Sequence, residues 1–186
     1  MEKIANKKNG IDVDQLLGTI NAVKSDPEVA DFRFKAKTEW LEGGHCRTTF
    51  LPFYGAKEED SSRTNPIIME GDEPPILLGE NRGANAVEAV LHALGSCLSV
   101  GFIYNAAARN IEVESLSFDL QGDLDLHAFL GLSEKSRPGY EKIRVKYNVK
   151  ANAPKKEIEE LCAYVQKTSP VLDMLRNPMK VDVEMA

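Results

Sequence analysis

The longest regular apolar pattern lies in the middle of the chain. From Val87 onward, apolar residues recur three and four positions apart, which is the spacing of one helical face. The residues of this face are Val90, Leu91, Leu94, Leu98, Phe102 and Ile103. Asn85 and Glu88 have the spacing of a capping box, and the pattern ends near Arg109. The sequence therefore predicts a core helix of about 24 residues. Polar residues interrupt it before about 18 apolar residues can follow one another, so we expect no membrane span.

Before this helix, apolar and polar residues alternate as they do in β-strands. Residues 32–40 alternate, a Glu-Gly-Gly turn follows at 42–44, and a second strand pattern covers 46–50. This order predicts a β-hairpin. A short strand is predicted at 67–69, and the charged, turn-rich segment 54–65 is predicted to be an exposed loop.

After the core helix, the alternation returns in three segments. Residues 116–120, 143–149 and 179–185 are predicted strands. A long connection at 122–140 separates the first two, and connections of this length usually carry function or an interface. A helix is predicted to begin near Pro154, and Ser169-Pro170 is predicted to end it and to start a second short helix, with Ser169 as the N-cap. Together these elements predict an α+β fold.

The first 30 residues are predicted to form a separate N-terminal extension, and residues 31–186 the main domain. The segment up to Gly10 is polar, and we expect it to be frayed. Residues 11–24 place Leu16, Leu17, Ile20 and Val23 on one helical face, which predicts a surface helix.

The amino-acid composition limits the classes of function that the chain can have. The 186 residues include 23 basic and 29 acidic side chains, a net charge of −6, whereas nucleic-acid-binding proteins need a basic face. The three cysteines are an odd number, no secretory signal is visible, and no spacing resembles a zinc site or a CxxC pair. We therefore expect a reducing, cytoplasmic setting, with no metal, no cofactor, no nucleic acid and no membrane as partners.

Cys97 lies within the core helix, where two interpretations compete. A free cysteine on an apolar helix face is usually a small packing residue, and the alternative is a protected nucleophile. Cys162 lies on the apolar stripe of the later helix and is predicted to pack. His45 and Cys46 are adjacent in a strand and point to opposite faces, so they do not predict a metal pair. His92 is predicted to pack or to make an interface hydrogen bond. His127 is predicted to be an interface or loop residue rather than a base.

Several segments together resemble the OsmC/Ohr family. They are GANAVEAVLHALGSC, the GDLDLHAFLGL connection, PGYEKIRVKYNV and the terminal SPVLDMLRNPMKVDVEM, and the resemblance runs from about Phe32 to Met185. It implies an intertwined homodimer in which antiparallel sheets wrap around central helices. In that family each active site lies where the two subunits meet.

The resemblance also implies site residues. Peroxidases of this family use one cysteine to attack a hydroperoxide and a second to form a disulfide with it. Cys97 matches the first, whereas Ser169 stands at the position of the second. These enzymes activate the thiolate with an arginine of the early hairpin, here Arg47, held by a glutamate near the start of the central helix. That glutamate position is Val87 in this chain, and the nearest carboxylate is Glu88.

Two classes of function follow. In the first, the protein is a thiol-dependent enzyme in oxidative stress defence: Cys97 reduces an organic hydroperoxide, and an external thiol restores it. Arg47, Ser169 and Glu88 are then the candidate supporting residues, and the Ser169 hydroxyl either donates to the sulfur or only caps the next helix. In the second, a non-catalytic homodimer binds a small apolar or thiol-bearing ligand at its interface, and Cys97 is part of the pocket wall.

Overall fold

A computed structural model of the chain describes residues 6–185. It is a mixed fold of α-helices and antiparallel sheets, as predicted. Along the chain the helices and strands are β1 (Lys7–Lys8), β2 (Ile11–Asp12), α1 (Val13–Ser25), β3 (Ala36–Glu42), β4 (His45–Phe50), β5 (Tyr54–Gly55), β6 (Glu58–Glu59), β7 (Ile67–Gly71), α2 (Ala86–Ala108), β8 (Val113–Asp123), β9 (Lys142–Ala151), α3 (Lys155–Thr168) and α4 (Pro170–Arg176). Two compact units can be distinguished: one combines the chain up to Val13 with the chain from Leu91 onward, and the other is Asp14–Val90.

The first unit has a well-defined apolar core. Helix α2 contributes three fully buried side chains and α3 contributes two; they are Leu94, Leu98, Phe102, Leu161 and Val165. The β8–β9 hairpin covers this cluster, and alternate residues of β9 face inward along its whole length. The predicted strand alternation is therefore confirmed, because only one face of this hairpin is turned toward a core.

Helix α2 begins and ends within one residue of the predicted bounds. Its start is closed by the predicted capping box: the Asn85 N–H donates to Glu88 Oε2 at 2.9 Å, and the Glu88 N–H donates to Asn85 Oδ1 at 2.9 Å. By length and composition alone, α2 is apolar enough to cross a membrane. Five residues of α2 are buried, and most of them belong to the apolar cluster described above. Helix α2 is therefore a core helix.

The N-terminal segment corrects one prediction. Residues 7–12, expected to be frayed up to Gly10, form the β1–β2 hairpin, and residues 1–5 lie outside the described residues. Asn9 and Gly10 have φ values of 51° and 79°, the left-handed conformation that an Asn-Gly hairpin turn uses. The Asn9 side chain donates to the carbonyl of Ile111 and accepts from the Val113 N–H, both at 2.9 Å. These two hydrogen bonds attach the β1–β2 hairpin to the segment that connects α2 with β8.

The second unit is a three-stranded sheet with the order β3-β4-β7, preceded by α1. The predicted β3–β4 hairpin and the strand at 67–69 are confirmed, and the predicted loop at 54–65 contains the short β5–β6 pair. All residues from 14 to 90 are described, and none of their hydrophobic side chains is buried. Phe34 and Trp40, for example, are 69% and 73% exposed. This unit does not enclose an apolar core of its own.

The C-terminal segment departs from the predicted strand at 179–185. No strand is assigned between Asn177 and Met185, and its large apolar side chains are exposed. A strand needs a hydrogen-bonding neighbour, and within the described residues no strand edge pairs with this segment. Alternation alone therefore did not produce a strand here.

We expect Leu161→Ala to destabilise the protein by about 2–5 kcal/mol, because Leu161 of α3 is completely buried in the apolar cluster and its truncation leaves a cavity. The measurement is the free energy of unfolding from denaturant titration at a fixed protein concentration. Lys156→Ala, on the exposed face of the same helix, is the control, with an expected change within about 0.5 kcal/mol. Equal effects of the two substitutions would contradict this assignment of the core.

Candidate active site

The structure brings Cys97 and Ser169 together, although 72 residues separate them in sequence. The Cys97 Sγ and Ser169 Oγ atoms are 3.1 Å apart, within hydrogen-bonding distance for sulfur. Cys97 lies on α2, one position before the buried Leu98, and Ser169 lies at the break between α3 and α4. Because Val165 on α3 packs into the α2 cluster one turn before the break, the end of α3 is held beside the helix that carries the thiol.

Local sequence explains why the serine points at the sulfur. Pro170 cannot continue α3, so the chain turns at Ser169, and the Ser169 side chain caps α4 by accepting from the Leu172 N–H at 3.2 Å. A hydroxyl has one proton to donate and two lone pairs to accept with. With one lone pair used in the cap, the proton of this buried hydroxyl is available for the sulfur. The arrangement can therefore stabilise a Cys97 thiolate while the cap is kept.

Cys97 and Ser169 line a cavity of about 570 Å³. Apolar groups of α2, α3 and α4 form most of its wall, among them Val100, Val165 and Val171. Gly101 allows the close approach of the helices, since a Cβ there would lie 3.2 Å from the Val165 side chain. His92 is exposed and lines the same cavity, so it does not pack within this chain, and its interface hydrogen bond stays a prediction. A small molecule with an apolar body fits such a cavity.

Arg47 and Glu88, the other two predicted site residues, belong to the second unit. Arg47 lies on β4 and pairs with Glu70 of β7, its direct cross-strand neighbour. Glu88 is engaged in the capping box of α2. The structure thus joins Cys97 to Ser169, and it places Arg47 and Glu88 in other interactions of their own unit.

The other two cysteines, Cys162 and Cys46, pack against other residues and take no part in the Cys97–Ser169 contact. Cys162 packs against the core cluster, and burial raises the pKa of its thiol, which opposes formation of the thiolate nucleophile. Cys46 faces Gly71 across the sheet, where a Cβ would lie only 2.9 Å from its sulfur. Within residues 6–185, no group of three or more His, Cys, Asp or Glu residues could hold a metal ion.

His127 lies in the long connection after β8 and holds Asp125 in place. Asp125 accepts hydrogen bonds from the His127 N–H at 3.0 Å and from the Ser136 hydroxyl at 2.9 Å. Led by the His127 backbone N–H, these bonds lower the pKa of the Asp125 carboxyl to about 2. His127 is therefore part of the internal structure of this connection.

Sequence reasoning missed the partners of Arg47. The Glu70 carboxylate of β7 forms hydrogen bonds with both His45 and Arg47 of β4. These three residues therefore form one polar cluster. Cross-strand register could have predicted this contact, because opposite charges on facing positions of paired strands attract. That register depends on which residues of β4 and β7 are opposite, which alternation does not specify.

Solved structures define the class of fold. An OsmC-like protein from Mycoplasma pneumoniae superposes with a TM-score of 0.60 at 16% identity, over 78% of this chain and 89% of that chain. An OsmC-like protein of unknown function from Vibrio cholerae gives 0.57 at 14%, over 76% and 92%. An organic hydroperoxide resistance protein OsmC from Legionella pneumophila gives 0.50 at 19%, over 77% and 89%. The fold is that of the OsmC-like proteins.

The sequence supports the same assignment independently of the fold. Residues 79–184, more than half of the chain, match the family model described as OsmC-like protein. The chain belongs to the OsmC-like protein family. No curated protein matches the sequence.

We expect Ser169→Cys to form a disulfide with Cys97 on mild oxidation, because the Ser169 Oγ atom already lies 3.1 Å from the sulfur. Intact mass and peptide mapping without reductant would detect the loss of two hydrogens and the linked peptides. Thr168→Cys is the matched control, since the Thr168 hydroxyl points back to the Tyr164 carbonyl at 3.0 Å. Linkage at 168 rather than 169 would show that the Cys97–Ser169 geometry is wrong.

Proposed function

We propose that this OsmC-like protein is a one-cysteine, thiol-dependent reductase of organic hydroperoxides. The observation that carries the proposal is the Cys97–Ser169 contact on the wall of an apolar cavity. A thiolate is the nucleophilic form of cysteine, and in apolar surroundings it needs a hydrogen-bond donor or a cation. The Ser169 hydroxyl is placed as such a donor. The Legionella pneumophila protein that shares this fold is an organic hydroperoxide resistance protein, which supports the same proposal.

The chemistry proceeds in two stages. The Cys97 thiolate attacks one peroxide oxygen of ROOH, so that an S–O bond forms and the O–O bond breaks; the RO⁻ leaving group takes a proton and departs as ROH. The sulfur loses two electrons and becomes a sulfenic acid. An external thiol then attacks this sulfur, releasing water and forming a mixed disulfide, and a second external thiol displaces Cys97 as a thiolate.

The external thiol is required because Ser169 stands beside Cys97. A hydroxyl at that position donates a hydrogen bond but cannot form the S–S bond that would resolve the sulfenic acid within the chain. The proposal therefore includes a thiol reductant that reaches the cavity. It also implies a reducing, cytoplasmic compartment, where such thiols are kept reduced.

The resemblance to the OsmC/Ohr family makes Arg47 the candidate cation of this proposal. A guanidinium stays charged throughout the accessible pH range and stabilises a thiolate by charge as well as by hydrogen bonding. Glu88 is given no catalytic role, because both its carboxylate and its N–H are engaged in the cap of α2. No metal or cofactor is required.

A second candidate function is binding of a small ligand without turnover. The apolar wall formed by Val100, Val165, Pro170 and Val171 supports it, since such a surface holds apolar molecules whether or not the thiol reacts. Under this alternative, Cys97 contributes only to the wall of the cavity.

We expect a brief pulse of organic hydroperoxide to oxidise Cys97 to a sulfenic acid faster than Cys46 or Cys162. Ser169→Ala should slow this step by about tenfold to a hundredfold, because it removes one hydrogen bond to a charged sulfur. The measurement is thiol trapping followed by mass spectrometry. Thr168→Ala is the control, because the neighbouring Thr168 hydroxyl donates to the Tyr164 carbonyl instead of to the sulfur. An unmodified Cys97 at hydroperoxide concentrations that consume free thiols, together with a stoichiometric ligand retained in native mass spectra, would favour the binding alternative.

We also propose that the protein is a homodimer. The second unit has no buried hydrophobic side chain among residues 14–90, yet it carries a stacked cluster of Phe32, Phe34 and Phe53. Apolar surface of this extent favours a partner surface, because burying it is the main source of association free energy. Phe129, Leu130 and Leu132 of the long connection are exposed as well.

We expect a dimer mass in sedimentation or light-scattering measurements at micromolar protein concentration. Phe34→Glu should shift the equilibrium toward monomer, because a charge would have to be buried at the interface. Lys37→Glu, which changes a charge on the adjacent strand without touching the aromatic cluster, is the control. A folded monomer in the unaltered protein would contradict the proposal.

A further inference from the structure

Helix α2 contributes two neighbouring rows of side chains to the wall of the cavity that holds Cys97. Residues four apart on a helix lie above one another, so positions 93, 97 and 101 form one row and positions 92, 96 and 100 form the next. All six residues line the cavity: Ala93, Cys97 and Gly101 in the first row, and His92, Ser96 and Val100 in the second. His92 and the thiol therefore border the same space, although five positions separate them in sequence.

The two ends of the cavity differ in chemistry. Gly101 lies against Val165, since a Cβ there would be 3.2 Å from the Val165 side chain, and one turn earlier on α2 Cys97 lies against Ser169. His92 is five positions before Cys97, about 7.5 Å along the helix axis. Along α2, the apolar contact and the histidine therefore lie on opposite sides of the thiol.

The proposed oxidation of Cys97 requires a proton at the leaving oxygen. When the thiolate attacks ROOH, that oxygen departs as an alkoxide, and a proton donor placed beside it lowers the barrier to breaking the O–O bond. Histidine is the side chain that ordinarily exchanges a proton near neutral pH. Of the described residues that line the cavity, His92 alone is a histidine.

The hydroxyl groups of the cavity wall have other roles. The Ser169 hydroxyl is placed to donate to the sulfur, and the Thr168 hydroxyl donates to the Tyr164 carbonyl at 3.0 Å. Ser96 lines the cavity as well, but a serine hydroxyl does not ordinarily give up its proton near neutral pH. The proton donor is therefore to be sought in the imidazole.

The charged groups nearest to His92 are engaged in other hydrogen bonds. Glu88, one turn earlier on α2, closes the capping box, and Asp119 of β8, which lines a neighbouring groove together with His92, accepts from Asn148 Nδ2 at 2.8 Å. The described residues that α3 and α4 contribute to the cavity wall are uncharged. His92 is exposed, so an imidazole that has lost a proton can regain one from water.

We propose that His92 is the general acid of this reaction, and that its imidazolium donates a proton to the departing oxygen as the O–O bond breaks. The thiolate electron pair forms the S–O bond, the O–O electron pair passes to the departing oxygen, and that oxygen takes the proton and leaves as ROH. Solvent then returns a proton to the neutral imidazole. This inference rests on the proposed function, in which Cys97 reduces a hydroperoxide.

Two oxidants with different leaving groups test the inference. tert-Butyl hydroperoxide releases a strongly basic alkoxide, whereas peracetic acid releases acetate, which departs without a proton. We expect His92→Gln to slow the oxidation of Cys97 by tert-butyl hydroperoxide by about a hundredfold or more, the usual contribution of a general acid, and to leave the rate with peracetic acid unaltered. The measurement is rapid mixing followed by thiol trapping and mass spectrometry. His127→Gln, which removes a histidine of the long connection, is the control and should change neither rate.

The pH dependence and chemical rescue give two further measurements. Formation of the thiolate speeds the reaction as the pH rises, and loss of the imidazolium slows it at higher pH, so the rate with tert-butyl hydroperoxide should pass through a maximum. His92→Gln should lack the decline on the alkaline side. Imidazole added to His92→Ala should restore part of the rate, in proportion to the concentration of imidazolium.

Equal slowing of both oxidants by His92→Gln would assign His92 a structural role and overturn the inference. An unaltered rate with tert-butyl hydroperoxide would overturn it as well. Failure of the proposed function is a separate result, because Cys97 of the unaltered protein would then not react with tert-butyl hydroperoxide, before any variant is compared.

Discussion

The contact between α2 and α3 is the interaction on which the site depends. Leu94, Leu98 and Phe102 interlock with Leu161 and Val165, and all five side chains are removed from water. Each fully buried side chain of this size contributes about 1.5–3 kcal/mol, so the cluster dominates the stability of the first unit. Because Cys97 adjoins Leu98, and Ser169 lies one turn beyond Val165, this apolar contact also sets the distance between thiol and hydroxyl. The chemistry thus depends on the geometry of the core.

The second unit is held together in a different way. Its sheet has no buried apolar side chain, and its best-defined side-chain contacts are polar. The buried Asp72 accepts hydrogen bonds from the backbone N–H groups of Arg82, Glu80 and Glu73, which fix the segment before α2. These bonds, led by that of Arg82, lower the pKa of the Asp72 carboxyl. A buried carboxylate is tolerated only when its oxygens are satisfied in this way. Polar contacts of this kind set side-chain directions well but contribute less to stability than an apolar core does.

Local patterns predicted the parts of the fold that local physics determines. The bounds of α2, its capping box, the alternation of β9 and the Ser169 cap all follow from residues near one another in sequence. Local patterns gave wrong predictions where the structure of a segment depends on a partner that is distant in sequence. The β1–β2 hairpin is fixed by bonds from Asn9 to Ile111 and Val113, about a hundred residues away, and residues 179–185 alternate without a strand to pair with. For the same reason the sequence did not predict the contact between Arg47 and Glu70, which depends on the β4–β7 register.

Under our proposal, Ser169 changes the chemistry of the site while its geometry is kept. The Ser169 Oγ atom lies 3.1 Å from the Cys97 sulfur, and it also caps α4 by accepting from the Leu172 N–H. Oxygen in place of sulfur removes the possibility of a disulfide but strengthens hydrogen-bond donation, because a hydroxyl is a better donor than a thiol. Under our proposal, the substitution exchanges resolution within the chain for stabilisation of the thiolate. The second half of the cycle then depends on access of an external thiol to the cavity. The exposed His92 is one of the residues that line this cavity.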